Sequence, residues 1–222
     1  MQLYYNLHAD EKLSATRIEA YVQDTYRFSS KVGNFTVNYG VRLSNWSWNK
    51  ETIISPRASV GFIPSANENW IFRMAAGLYC QTPFYKELRD TVTTNYNTVV
   101  NLNKNIKSQR SWQIVLGGDY TFRMGERPFK FTAEFYYKGM SDLIPYNVNN
   151  VRTVYYGRNV CSGYAVGIDT KLYGEFVPGT DSWVTFSVMQ TKEKFGNKWV
   201  PRPTDQRYNL SLYFTDFFPG TD

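Results

Sequence analysis

Apolar and polar residues alternate along most of this chain, and strict alternation places every second side chain on one face of a β-strand. Between residues 35 and 44, Phe35, Val37, Tyr39, Val41 and Leu43 share one face, while Thr36, Asn38, Gly40, Arg42 and Ser44 share the other. Ala58, Val60 and Phe62 oppose Arg57, Ser59 and Gly61. After the turn-like stretch PSANEN, Trp70, Phe72, Met74, Ala76 and Leu78 oppose Arg73, Ala75, Gly77 and Tyr79. The same period returns at 112–122, 129–138, 164–172, 184–188 and 208–215. With a weaker stretch at 17–28, the pattern predicts about nine strands. Asp24 falls on the apolar parity of that first strand, which predicts a bulge or a rim position there.

The links between strands alternate in length. Short, turn-rich links are expected at 29–34, 64–69, 124–128 and 177–181, with another such stretch at 217–222. Long links are expected at 45–54, 81–110, 140–150 and 190–205. An up-and-down meander with tight turns at one rim and long loops at the other gives this rhythm, as in outer-membrane barrels with short periplasmic turns and long extracellular loops. The apolar stripes begin or end in Trp70, Trp112, Phe129, Tyr137, Tyr164, Tyr208 and Phe214. Aromatic ends with aliphatic middles suit strands that cross two membrane interfaces. The expectation is therefore an all-β fold: an antiparallel up-and-down meander forming part of a transmembrane outer-membrane β-barrel, about nine to ten strands, with residues 1–222 as one barrel portion. A soluble β-sandwich would also alternate, with its apolar face inward.

Composition sharpens this picture. Aromatic residues make up 18% of the chain and charged residues 20%, yet mean hydropathy is negative, so apolar and polar residues are interleaved. No window holds the roughly 18 uninterrupted apolar residues of a membrane-spanning helix. The opening MQLYYNLHADEKL lacks the basic and apolar regions of a signal peptide, so for an exported barrel the true N-terminus is expected upstream. The formal charge is +6, which bears on steering and solubility and names no partner. Cys80 and Cys161 have no metal-ligand spacing, and a disulfide between them does not follow from sequence.

Three stretches carry a family resemblance: SPRASVGFIP followed by WIFRMAAGLYCQTPFYKELRD, then GRNVCSGYAVGIDTKLYGEFVPGTDSWVTFSVM, then WVPRPTDQRYNLSLYFTDFFPG. In order and spacing they resemble the barrel of TonB-dependent outer-membrane receptors, especially those of Bacteroides-like bacteria, over roughly residues 15–222. The resemblance implies a bacterial outer-membrane protein whose larger barrel is filled by a plug, and which imports scarce solutes with energy passed through TonB. Set against that family, this stretch is expected to carry no plug and no TonB-contacting segment. It is therefore expected to be a barrel fragment that lacks the plug and the terminal strands, with lipid and an unidentified solute as partners and TonB engaged only through the plug.

No catalytic, cofactor-binding or metal-binding set emerges, and the chain is not expected to be an enzyme. His8 is the lone histidine and has no second base or nucleophile to recruit. Asp119 with Glu134 or Asp169, interleaved with Lys130, Lys138 and Lys171, reads as a charge ladder in a wet lumen, not as an acid/base pair. The segment QTPFYKELRD is expected to form a short helical turn led by Pro83. In the long 81–110 link, Phe84, Tyr85 and Tyr96 are candidate solute contacts. Trp46 and Trp48 either stack on sugar rings or anchor the outer interface. Most Arg and Lys lie on the parity opposite the aromatics, which argues against a nucleic-acid groove. Two alternatives accompany the receptor reading. One is a stand-alone porin-like or structural barrel closed by residues 2–7, and the other is a soluble carbohydrate-binding β-sandwich.

Overall fold

A computed structural model describes residues 12–94, 97–149 and 152–217 of the chain. Its strands are β1 (Arg17–Ser30), β2 (Gly33–Trp46), β3 (Glu51–Pro64), β4 (Trp70–Gln81), β5 (Arg89–Thr94), β6 (Asn97–Leu102) and β7 (Gln109–Met124). They continue as β8 (Arg127–Leu143), β9 (Tyr146–Asn149), β10 (Arg152–Tyr155), β11 (Cys161–Gly174), β12 (Ser182–Phe195), β13 (Lys198–Pro201) and β14 (Tyr208–Tyr213). One antiparallel sheet runs β1-β2-β3-β4-β7-β8-β11-β12, and both β13 and β14 pair with β12. The remaining four strands form two hairpins, β5–β6 and β9–β10, outside that sheet. The sheet is an unclosed meander, part of a barrel wall.

Cross-strand register preserves the two faces read from the sequence. Tyr39 lies opposite Asp24 and Ala58, Ala58 opposite Ala76, and Ala76 opposite Ile114. Large apolar side chains on this face stay exposed along the sheet, among them Val41, Val60, Met74, Leu116, Phe135, Ile168, Phe186 and Leu210. No second sheet covers them among the described residues. An apolar face this continuous exceeds what soluble monomers leave in water, and it removes the sandwich alternative. Lipid is the solvent that suits it.

Two bands of rings border the apolar face. At the tight-turn end, rings run from Tyr26 and Phe28 through Phe35, Phe62, Phe72, Trp70, Tyr120 and Phe122 to Phe129, with neighbouring centroids 4.5–6.4 Å apart. At the loop end, Trp112, Tyr137, Tyr164 and Trp199 form a second series. Phe28, Phe35, Phe62 and Phe72 share one cross-strand row, Trp70 and Tyr120 sit two residues along, and Phe122 and Phe129 two further. A drift of four residues over five strand-to-strand steps is roughly 14 Å along against roughly 24 Å across, a strand tilt of about 30°. With that tilt, the eight to ten residues from Trp112 to Tyr120 or Phe122 span roughly 24–29 Å of height, the thickness of a barrel's apolar band.

Local chemistry sets the details. Gly125 and Glu126 both have positive φ, 59° and 67°, and close the two-residue hairpin between Met124 and Arg127; positive φ at both positions matches the twist of the flanking strands. Gly139 lets the Trp112 indole lie against β8, because a Cβ there would collide with the indole ring. Pairing between β3 and β4 stops at Arg57–Gly77, next to Pro56, which has no N–H to donate.

The structure corrects several expectations. The 45–54 stretch is no long loop: β2 and β3 extend into it and leave a turn at 47–50. The 81–110 and 190–205 links carry the hairpins β5–β6 and β12–β13, and the link expected at 140–150 begins after Leu143 and carries β9–β10, which runs on to Tyr155. Pro83 starts no helix; Glu87 N–H donates to Phe84 O (2.9 Å) and Leu88 N–H to Tyr85 O (3.3 Å), two overlapping turns that lead into β5. Asp24 sits neither in a bulge nor at a rim, since β1 and β2 pair without interruption. Its carboxylate accepts from the Tyr39 hydroxyl (3.1 Å) and the Thr25 N–H (2.7 Å), so a polar pair lies within the apolar face. The nine strands expected in the main sheet correspond to its eight long strands and β14, with β13 added beyond them.

Candidate functional site

On the inward face, Arg73 joins β4, β7 and β8. Its guanidinium bridges Asp119, through both of that residue's carboxylate oxygens, and Glu134 Oε1 (3.0 Å). Lys130 Nζ lies 3.2 Å from Asp119 Oδ2, and the Thr132 hydroxyl donates to Asp119 Oδ1 (2.7 Å). Asp119 is nearly fully enclosed by these partners. The charge ladder exists in part, with Arg73 at its centre, but three expected rungs differ, and Asp169 joins no ion pair among the described residues. Lys171 points its ammonium over Tyr173 and Trp183 at 5.7 and 5.2 Å, and Lys138 joins no ion pair among the described residues. These partners take up both Asp119 oxygens, and the network ties β4, β7 and β8 together.

At the loop end a small apolar core ties the loops into a cap. Trp46, Leu88, Ile106 and Ile144 are buried together, with Trp48, Leu102 and Tyr155 packed against them. Trp48 Nε1–H donates to Asn103 O (3.0 Å) and Asn49 Nδ2 to Ile106 O (2.7 Å). Glu51 accepts from the Ser108 N–H (2.8 Å) and from Arg110 (3.1 Å). Asn159 exchanges two hydrogen bonds with the Lys107 backbone, 2.7 and 2.9 Å, and donates to Asp142 O (2.7 Å). Every polar backbone group these loops bury needs such a partner, and the asparagines supply most of them.

Beneath the cap lies a cavity of about 450 Å³. Its floor is the inward wall of β4, β7 and β8, with Tyr79, Gln113, Lys138 and Met140. Its roof is the β9–β10 hairpin, where Tyr146 and Tyr155 face one another with ring centroids 5.7 Å apart. Arg202 closes one side, its guanidinium 6.0 Å from the Tyr146 ring and its Nε 3.4 Å from Glu193 Oε2. Glu87 enters from the turn before β5, accepting from the Phe84 N–H (3.1 Å) and Gln109 Nε2 (3.0 Å). Burial raises the Glu87 pKa above the usual carboxylate range, the two hydrogen bonds only partly opposing it. Burial also raises the Tyr155 pKa, with the charge of Glu87 adding to the effect. The size and mixed polar and apolar lining suit a small solute.

The residues singled out in sequence occupy different places. Trp46 is 5% exposed and Trp48 half-buried, both inside the cap; neither stands free at an interface. Phe84 is exposed and meets Tyr155 edge-on at 5.3 Å, at the margin of the cavity roof. Tyr85 is half-buried beneath the Arg89 guanidinium, 4.6 Å from its ring centroid. Tyr96 and His8 lie outside the described residues. Cys80 and Cys161 are both free thiols. Tyr146 and Arg202 were not signalled by strand periodicity, because a four-residue strand and a loop are too short to show it; their neighbours Pro145 and Pro201 were the available clue. A larger depression of about 760 Å³, lined by Val41, Pro56, Ala58, Ala76, Leu78 and Trp112, opens on the apolar face.

No curated protein matches the sequence. Exposed apolar rows between two aromatic bands, an inward charge network and looped caps at one rim describe a membrane barrel wall. The family model for "TonB dependent receptor-like, beta-barrel" matches residues 3–221. The chain belongs to the TonB-dependent receptor-like β-barrel family, a transport-receptor family of the bacterial outer membrane and not an enzyme family.

Proposed function

We propose that this chain forms part of the wall of an outer-membrane receptor that binds a scarce solute at its extracellular loops. The solute then passes along the polar inward face as a plug, supplied outside these residues, rearranges with energy delivered by TonB. The observation that carries this reading is the roofed cavity at the loop end, continuous with an inward face bearing Arg73, Asp119, Lys130 and Glu134. Phe84, Tyr85 and the β9–β10 tyrosines are the proposed first contacts, with Tyr96 in the same link. The membrane around it is bacterial outer-membrane lipid.

Transport is tested in cells that carry the complete receptor, by comparing solutes depleted from the medium with cells lacking it. Depletion that stops when a protonophore collapses the proton-motive force supports energised import. Depletion that persists unchanged supports a passive porin-like barrel and refutes the proposal.

A further inference from the structure

Three cations line the cavity under the β9–β10 roof, Arg110, Lys138 and Arg202, and of these Arg110 is held by Glu51 and Asp142. Lys138 lies on the inward parity of β8, opposite Gln113 of β7 and Ala165 of β11. It is half-buried and makes neither an ion pair nor a hydrogen bond among the described residues. Arg202 is the other lining cation outside the Arg110 cluster. Its side chain is only 18% exposed, and its Nε is buried without a hydrogen-bond partner, although Glu193 Oε2 lies 3.4 Å away. One Arg202 terminal nitrogen meets only the Met140 sulfur, at 3.6 Å.

The other carboxylates near the cavity are already engaged. Glu51 and Asp142 flank Arg110 at 3.1 and 3.8 Å, and Glu87 accepts from Phe84 and Gln109. Two like charges held at one half-enclosed wall repel, and burial strengthens that repulsion. A solute oxyanion between them would relieve it, gaining charge-assisted hydrogen bonds from an ammonium and a guanidinium. Tyr79 and Tyr146 offer hydroxyls, and Met140, Leu143 and Ile144 an apolar surface for the solute's body.

We propose that this cavity is an oxyanion site, taking a carboxylate- or phosphate-bearing solute whose charged group sits between Lys138 and Arg202. The proposal deepens the receptor reading above and rests on it. The test uses the complete receptor folded into phosphatidylcholine vesicles, with equilibrium dialysis of citrate, of inorganic phosphate and of the uncharged triethyl citrate. Citrate or phosphate binds, the affinity falls at least tenfold in Lys138→Gln and in raised salt, and the ester does not bind. Lys171→Gln, which removes another inward lysine, leaves the affinity unchanged. Binding of citrate alone assigns the site to carboxylates and binding of phosphate alone to phosphates. Failure of both anions to bind, equal binding by Lys138→Gln, or equal binding of the ester overturns the proposal. Polarity-sensitive labels at Val37→Cys and Asn38→Cys read membrane entry in the same samples. A chain that enters lipid yet binds no anion overturns the oxyanion site alone; a chain that stays out of lipid overturns both readings.

Discussion

Tyr39 and Asn38 are adjacent in β2 and face opposite solvents, so the pair gives the sharpest test of which face meets lipid. Tyr39 is about half exposed on the apolar face, four residues from the Phe35 ring band, and its hydroxyl donates to Asp24. Tyr39→Asp removes that hydrogen bond, at about 1 kcal/mol. It also places a second carboxylate beside Asp24 on the apolar face. A charge on the lipid face near mid-bilayer costs about 2–4 kcal/mol for Arg or Lys and less for Asp, and two neighbouring carboxylates cannot both ionise there without further cost. The expected loss is about 3 kcal/mol. Asn38 faces inward, accepting from the Thr25 hydroxyl (2.8 Å) and donating to Ser59 Oγ (3.2 Å). In Asn38→Asp the Thr25 bond survives and Ser59 can turn to donate, so the loss is about 0.5–1 kcal/mol. The difference, about 2 kcal/mol, is roughly 30-fold in the folding equilibrium. Urea unfolding from lipid vesicles, followed by tryptophan fluorescence, measures it. Equal losses for the two variants, or a larger loss for Asn38→Asp, would refute the assignment of faces.

Other regions respond differently. Arg73→Met leaves Asp119 with Lys130 and Thr132 alone and strips Glu134 of its cation; since Arg73 is itself partly exposed, the loss is about 2 kcal/mol, read by the same urea titration, and an unchanged midpoint would show the network contributes nothing. Trp46→Ala opens the cap core and is expected to cost about 3–5 kcal/mol there, seen as faster proteinase K cleavage within 82–108 while the membrane sheet stays folded; unaltered cleavage would mean the core does not hold the loop. Glu87, its folded pKa raised by burial, stabilises the cap fully below its unfolded pKa and loses that contribution as pH rises through the folded value. Cleavage of the loop should therefore quicken from acid to neutral pH, and Glu87→Gln should flatten that dependence. A profile identical in the two proteins would exclude Glu87 as its source.

The sequence by itself determined the sheet, because a strand's side-chain period is two and lipid and water lie on opposite sides of it. The stripe from Phe35 to Leu43 in β2 kept its face, as did its counterparts in the neighbouring long strands, and the aromatic ends became two ring bands whose drift records the strand tilt. Even the charge ladder was legible from parity, although Arg73's place at its centre needed the register that brings β4, β7 and β8 side by side. Only the tertiary structure decided the loop end. NWSWN carries no signal that says whether its indoles face lipid, solute or protein; the answer came from Leu88, Ile106 and Ile144, which lie distant in sequence and adjacent in space. Asp24 likewise broke the strand pattern without breaking the strand, because the Tyr39 hydroxyl across the ladder supplies its partner. The cavity joins Lys138, Tyr146 and Arg202 from a strand, a hairpin and a loop. Periodicity is a local property of one strand, whereas a site is a convergence of several segments, and loop closure fixes that convergence through contacts no local pattern encodes.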